Sequence, residues 1–309
     1  MTRVGTRVAD LRARASDLAY AAGWALVRML PEAVAVALFR AGADLAARRS
    51  GPDSQLRRNL ARVLGVPAGQ VPDSLVRDAY RSYARYWREA FRLPDTDHEA
   101  VARRLDHTID GLEHIDRPLA EGRGVVVALA HCANWDLGGT WLAHRYGGFA
   151  TVAERLRPES LYQRFLRYRE SLGFTIFPLT GGSTPPFAEL RGVLGSGGIV
   201  CLLGERDLRR RGVPVEFFGE PTHMPAGPAQ LAIETGAALV VAEFWYEDDT
   251  EMRITVHPEI DVSGGLAAAT QQMADRFAEG IARHPADWHM LQPLWLDDLS
   301  AERRGRIEG

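Results

Sequence analysis

At 309 residues, with 46% hydrophobic and 25% charged side chains and a formal net charge of -3, the chain has the composition of a folded globular protein. That excludes a disordered or fibrous chain and a nucleic-acid binder driven by net charge, and it leaves room for a sizeable buried core. Every basic residue other than histidine is arginine, so any cationic contact to a ligand is made by a guanidinium, which suits bidentate phosphate binding.

The first element is an apolar region from Leu18 to Leu45, without the features of a secretory signal peptide. Arg28, Pro31, Glu32 and Arg40 interrupt it, and no stretch reaches the ~20 apolar residues that span a bilayer. The pattern predicts two short amphipathic helices, with Pro31 opening the second. A longer helix follows, capped by Asp73-Ser74 and running to about Arg92. Leu75, Val76, Ala79, Tyr80, Tyr83, Trp87, Ala90 and Phe91 share one broad face of it. Arg77, Arg81, Arg85, Arg88 and Arg92 make a stripe on the opposite face, with only Glu89 nearby to neutralise them. Such a stripe suits an anionic membrane surface, where each arginine adds roughly 1 kcal/mol. The expectation is a peripheral protein on the cytoplasmic face of the cell membrane, working as a monomer.

From Gly122 the pattern changes to short apolar runs alternating with helical segments. Predicted strands are Val125–Ala130, Ala150–Ala153, Thr175–Pro178, Ile199–Leu203 and Ala238–Trp245, with Met252–Val256 as a further, antiparallel one. Predicted helices are Leu137–Tyr146, Leu161–Leu172, Pro185–Leu194, Gly227–Glu234 and Ala267–His284. This alternation predicts an α/β fold, a mostly parallel central sheet flanked by helices behind an N-terminal helical segment. The chain reads as a single domain over 1–309, with 10–92 as the helical, membrane-proximal part and 120–295 as the α/β core. Ala301–Gly309 reads as a frayed charged tail. The Gly181-Gly182-Ser183-Thr184 and Leu194–Gly198 turns lack the spacing of a phosphate-cradling loop, and no G-x-S-x-G elbow is present. Cys132 and Cys201 lie in or beside apolar runs, without paired spacing for zinc or a disulfide, and read as buried thiols.

Two of the apolar runs end on ionisable side chains. Val125–Ala130 delivers His131, and Ile199–Gly204 delivers Glu205-Arg206-Asp207. Ligands of open parallel sheets sit outside the carboxyl ends of the strands. If these strands are neighbours, their ends lie ~4.8 Å apart and His131 and Glu205 emerge side by side. A carboxylate on one imidazole nitrogen fixes the tautomer and prepares the other as a general base for a hydroxyl. Asp136 lies about 140° from His131 on a regular helix, so the two meet only if His131 precedes the helix.

His131-Cys132-Ala133-Asn134-Trp135-Asp136 resembles the H-x-x-N-W-(D/E) block of the lipid A late acyltransferase superfamily. Gly204-Glu205-Arg206-Asp207 followed by Gly212–Pro221 resembles its acidic strand end and V-x-F-F-G segment, and Pro225–Ala232 resembles its G-x-A-x-L-A block. The matches run from about residue 120 to 292. Within the superfamily the chain is most similar to the actinobacterial branch that acylates phosphatidylinositol mannosides. The resemblance implies transfer of a palmitoyl group from acyl-CoA to the 6-hydroxyl of a mannose on such a glycolipid acceptor, by direct attack on the thioester, with acyl-CoA as co-substrate and no cofactor or metal. His131 is implied as the base, Glu205 as the group that holds it, and Asp136 as a brace for the loop or an aid to the pair.

Glu154, with Arg155, ends the next predicted strand and points to the same rim. Arg169 falls where the family carries an arginine near the site, and serves either a substrate phosphate or a surface acid. Arg206 is either a substrate contact or half of a structural ion pair. Arg209-Arg210-Arg211 is either a CoA phosphate site or a solvated loop. His289 either approaches the acceptor or is a core histidine. A lipid A-type enzyme using acyl carrier protein, and a silent lipid-binding module, are the alternative readings.

Overall fold

The computed structural model describes residues 23–154, 159–180, 184–207 and 212–308. Arg155, Arg209-Arg210-Arg211, residues 181–183 of the first glycine turn and residues 10–22 of the expected helical segment lie outside it.

The strands are β1 (Ile109–Asp110), β2 (Val125–Leu129), β3 (Phe149–Ala153), β4 (Phe174–Pro178), β5 (Ile199–Leu203), β6 (Val213–Phe217), β7 (Glu220–Met224), β8 (Ala238–Tyr246) and β9 (Met252–Val256). Seven of them form one sheet in the order β1-β9-β8-β2-β5-β3-β4. The pairs from β8 across to β4 are parallel, and β9 runs antiparallel to β8. All five residues of β2 are buried, because helices cover both faces of a central parallel strand and leave no room for alternation. From β2 the chain moves outward to β3 and β4, returns to β5, and then crosses β2 to reach β8. The crevice above the carboxyl ends of β2 and β5 lies where that direction reverses.

The six strands and five helices predicted for the core are all present, with ends moved by a residue or two. The helix after β2 begins earlier than expected and spans Trp135–Tyr146, because the Asn134 side chain accepts from the Leu137 N–H at 3.1 Å and caps it. The β6–β7 hairpin was not foreseen. It turns on Phe218 (φ 52°) and Gly219 (φ 76°), two consecutive positive-φ residues as a tight hairpin turn requires, but without the usual Asn-Gly signal.

Three other expectations are corrected. Asp73 is not a cap but lies inside the Asp73–Arg92 helix, where its carboxylate bonds Arg57. Residues of the supposed tail form the Ala301–Glu308 helix, and Arg304 from it donates to the Leu296 carbonyl at 2.9 Å. The arginine stripe is neutralised, chiefly by acids from distant segments. Arg81 pairs with Asp44 at 2.6 Å, Arg88 with Glu32 at 3.2 Å, Arg92 with Glu32 at 3.1 Å, and Arg85 with Glu89 at 2.7 Å. Arg85 also lies over the Tyr246 ring at 3.7 Å. These contacts tie the Glu32–Arg49 helix and the end of β8 to the Asp73–Arg92 helix.

The main core runs from Trp24 and Leu93 through the sheet to Trp288 and Trp295, and a smaller cluster of Leu56, Leu60, Val71, Val76 and Ala79 joins the Gln55–Leu64 and Asp73–Arg92 helices. No helix among the described residues is long and apolar enough to cross a membrane.

Gly124 sets how closely the chain entering β2 approaches the end of the Pro186–Gly195 helix. A Cβ there would lie 2.6 Å from the Leu194 carbonyl oxygen and 2.8 Å from the Leu194 Cα, which are backbone atoms that cannot swing aside. Gly124→Ala is therefore expected to destabilise the protein by about 1–3 kcal/mol in denaturant unfolding. An unchanged midpoint would show that the end of the Pro186–Gly195 helix can move aside freely.

Candidate active site

The β2–β5 register pairs Leu129 with Leu203, and the Gly204 N–H donates to the Leu129 carbonyl at 2.8 Å. His131 and Glu205 each lie two residues beyond that pair, so the sheet delivers them together. His131 Nδ1 lies 2.5 Å from Glu205 Oε1, and the same oxygen accepts the His131 backbone N–H at 2.7 Å. Glu205 is fully buried while the imidazole keeps 34% of its side-chain exposure. Burial is the largest influence on the Glu205 carboxyl and opposes its charge. The charge of His131 and the hydrogen bonds from it outweigh burial and hold the group below the ordinary carboxylate range. The result is an ionised carboxylate under a half-buried imidazole whose Nδ1–H is taken and whose Nε2 is left to accept a proton.

Asp136 is not part of this pair. It lies in the first turn of the Trp135–Tyr146 helix, buried, and its hydrogen bonds go elsewhere. Arg169 Nε donates to Oδ1 at 2.9 Å and the Tyr86 hydroxyl donates to Oδ2 at 3.2 Å. Arg169 is thus half of a buried ion pair, and the aspartate braces three helices rather than the imidazole. Burial pushes the Tyr86 hydroxyl well up, and the Asp136 charge adds to that.

His289 lies beside the pair. Its backbone N–H donates to the His131 carbonyl at 2.7 Å, and its ring stands 5.1 Å from Tyr83, 5.8 Å from Tyr86 and 6.2 Å from Trp135. The Trp135 ring stacks on Tyr86 at 4.2 Å and meets the His131 ring edge-on at 5.4 Å. Burial first, and then the nearby charge of His131, lower the His289 pKa to about 3, so this ring is neutral. Arg206 Nε donates to the Pro293 carbonyl at 2.9 Å, which anchors the chain after His289. Glu154 is exposed just past β3.

The Cys132 and Cys201 thiols are both pushed up by burial, which leaves neither as a nucleophile. Among the described residues no group of three or more His, Cys, Asp or Glu is placed to hold a metal ion. Sequence reading missed Ser82, Tyr86 and Asp287, and named Asn134 only as part of its motif. Ser82 and Tyr86 continue the buried spacing of Val76 and Ala79 at i+3, i+4 and i+7 along the Asp73–Arg92 helix, a signal hidden because Ser82 is polar.

The unfolded chain protonates His289 near pH 6.5 and the folded ring only near 3, so the unfolded state binds the extra proton between those values. Folding stability should therefore fall as pH drops below 6.5, by up to about 1.4 kcal/mol per pH unit from this group. His289→Gln should remove that component of the slope in unfolding measurements. Parallel pH–stability curves for the two proteins would contradict it.

The profile of the family described as bacterial lipid A biosynthesis acyltransferase matches residues 7–297. The chain is 58% identical over 294 residues to a phosphatidylinositol mannoside acyltransferase of Mycobacterium tuberculosis (strain ATCC 25618 / H37Rv), covering 95% of this chain and 92% of that protein. It is 58% identical over 298 residues to a phosphatidylinositol mannoside acyltransferase of Mycolicibacterium smegmatis, covering 96% of this chain and 97% of that one. A strand-end histidine on a buried glutamate, Asp136 five residues further on, and similarity over nearly the whole length agree: the chain is an acyltransferase and belongs to the bacterial lipid A biosynthesis acyltransferase family.

Proposed function

We propose that this acyltransferase moves a palmitoyl group from acyl-CoA to the 6-hydroxyl of a mannose on a phosphatidylinositol mannoside, at the cytoplasmic face of the membrane. The observation that carries the mechanism is the half-buried imidazole of His131 with its Nδ1 engaged by buried Glu205. The acceptor is supported by the two mannoside acyltransferases at 58% identity.

His131 Nε2 removes the hydroxyl proton as the oxygen attacks the thioester carbonyl. The tetrahedral intermediate collapses, the carbon–sulfur bond breaks, and the CoA thiolate takes a proton from the imidazolium. No acyl-enzyme is needed, because the thioester is already activated and neither cysteine is ionised. Glu205 holds the ring and balances the charge it gains in the transition state. Asp136 and Arg169 act by bracing the catalytic turn, and Glu154 at the rim is the acidic side chain left to meet a sugar hydroxyl.

The membrane contact is assigned to the N-terminal helices through their apolar side chains. Leu26, Met29, Val34, Leu38 and Leu45 are exposed, and Val34, Leu38 and Leu45 share one face of the Glu32–Arg49 helix. The paired arginines beneath them support the helices and add a weaker electrostatic part.

Mass-spectrometric assay of palmitoyl transfer to mannoside acceptors in vesicles tests the reaction. His131→Ala and Glu205→Gln should each lose on the order of 10²–10⁴-fold in rate with the fold kept. A folded variant at the wild-type rate would remove that residue from the mechanism, and an equal rate with an acyl-carrier-protein thioester would overturn the donor. Leu26→Ser, Met29→Ser and Leu38→Ser together should weaken vesicle binding by at least about tenfold. Unchanged binding that disappears in high salt would return the contact to the arginines.

A further inference from the structure

The chain after the Gly265–Arg283 helix crosses the catalytic turn as a strap. Cys132 and Trp288 form an antiparallel bridge, the His289 N–H donates to the His131 carbonyl at 2.7 Å, and the Ala133 N–H donates to the Asp287 carbonyl at 2.9 Å. The turn contains Ala133 at φ 45°, a left-handed conformation that alanine keeps only where its surroundings hold it. Whatever holds the strap therefore holds the backbone of the base.

One hydroxyl grips both strap residues that make those bonds. Ser82, from the Asp73–Arg92 helix, donates to Asp287 Oδ1 at 2.6 Å. Its oxygen, having given its proton to Asp287, accepts from His289 Nε2 at 2.9 Å. Asp287 Oδ2 accepts the Tyr246 N–H at 2.9 Å, which fastens the strap to the end of β8 as well. All three side chains are buried. The order Asp–Ser–His is not that of a nucleophilic triad, since the histidine is a donor to the serine and cannot take its proton.

We propose that Ser82 is a positioning residue for acyl transfer, fixing the Asp287–His289 strap and through it the His131 backbone and the angle of its imidazole over Glu205. This rests on His131 being the base. Ser82 touches no reacting atom. Removing its hydroxyl leaves Asp287 Oδ1 and His289 Nε2 without this partner in a buried site, where the strap shifts to compensate. Displacements of about an ångström or less in a catalytic group cost up to about 100-fold in rate.

The test is steady-state kinetics of the full chain with palmitoyl-CoA and phosphatidylinositol mannoside in vesicles, at a temperature where every variant is folded. Ser82→Ala should lower kcat about 10–100-fold, leave both KM values within about twofold, and move the acidic limb of the pH–kcat profile. Ser82→Thr keeps the hydroxyl and should recover most of the rate. Ala79→Gly weakens the same helix without touching the strap, and should lower Tm with kcat and the pH profile unchanged. Should Ser82→Ala fail to fold, Ser82→Cys keeps the side-chain size with weak hydrogen bonding and carries the same expectation. Folded Ser82→Ala with kcat within about twofold of wild type overturns the proposal. So does a loss that Ala79→Gly reproduces with the pH profile unmoved. His131→Ala is run alongside: an active His131→Ala sinks the general-base reading itself, whereas an inactive one beside a fully active Ser82→Ala sinks only the positioning role.

Discussion

A carboxylate with no exposure to water is tolerated only where hydrogen bonds and an opposing charge compensate it. Glu205 finds the hydrogen bonds in one residue, His131, which supplies a ring N–H and a backbone N–H to the same oxygen, and the opposing charge there whenever the ring is protonated. The arrangement depends on two strands ending in step. β2 and β5 pair without a slip along their whole length, and a shift of one residue would turn one side chain to the other face of the sheet. Gly124 and the backbone at Leu194 and Gly198 hold the near end of that pairing, and the Gly204–Leu129 hydrogen bond holds the far end. The register of a buried parallel sheet is thus the first determinant of where the His131–Glu205 pair sits.

Above the sheet the work is divided between two buried acids. Glu205 meets His131, while Asp136 meets Arg169 and Tyr86 and draws the helices at 73–92, 135–146 and 159–171 together over the site. Removing one partner of such a pair leaves an uncompensated charge inside, commonly at about 3–5 kcal/mol, so the second acid stabilises the frame that the first one uses. The aromatic rings of Tyr83, Tyr86, Trp135 and His289 fill the space between that roof and the imidazole.

The α/β core was legible because its strands are continuous β-branched runs and its helices carry regular apolar spacing. The dyad was legible for the same reason, since Val125–Ala130 and Ile199–Gly204 each stop at an ionisable residue. What stayed hidden depends on contacts distant in sequence. Nothing local tells that Asp44 and Glu32 fold back onto Arg81, Arg88 and Arg92, so a face that looks unneutralised in the sequence is a set of ion pairs in the fold. The sequence left the partner of Asp136 open, and only the packing of the 159–171 helix shows that Arg169 takes it. The Phe218-Gly219 turn escaped because an aromatic residue in the left-handed region breaks the usual composition of a tight hairpin. Ser82 and Asp287 lie 205 positions apart and carry no signal until they meet.

The central claim is that a buried carboxylate locks His131 with its proton on Nδ1 and its lone pair on Nε2. Nitrogen NMR of the protein labelled at histidine reads that tautomer directly, with His131→Ala assigning the signals. At a pH where the ring is neutral, the account predicts a protonated Nδ1 and a bare Nε2, with the preference lost in Glu205→Gln. A His131 ring protonated at Nε2, or one that exchanges freely between both forms in the wild-type protein, would contradict it.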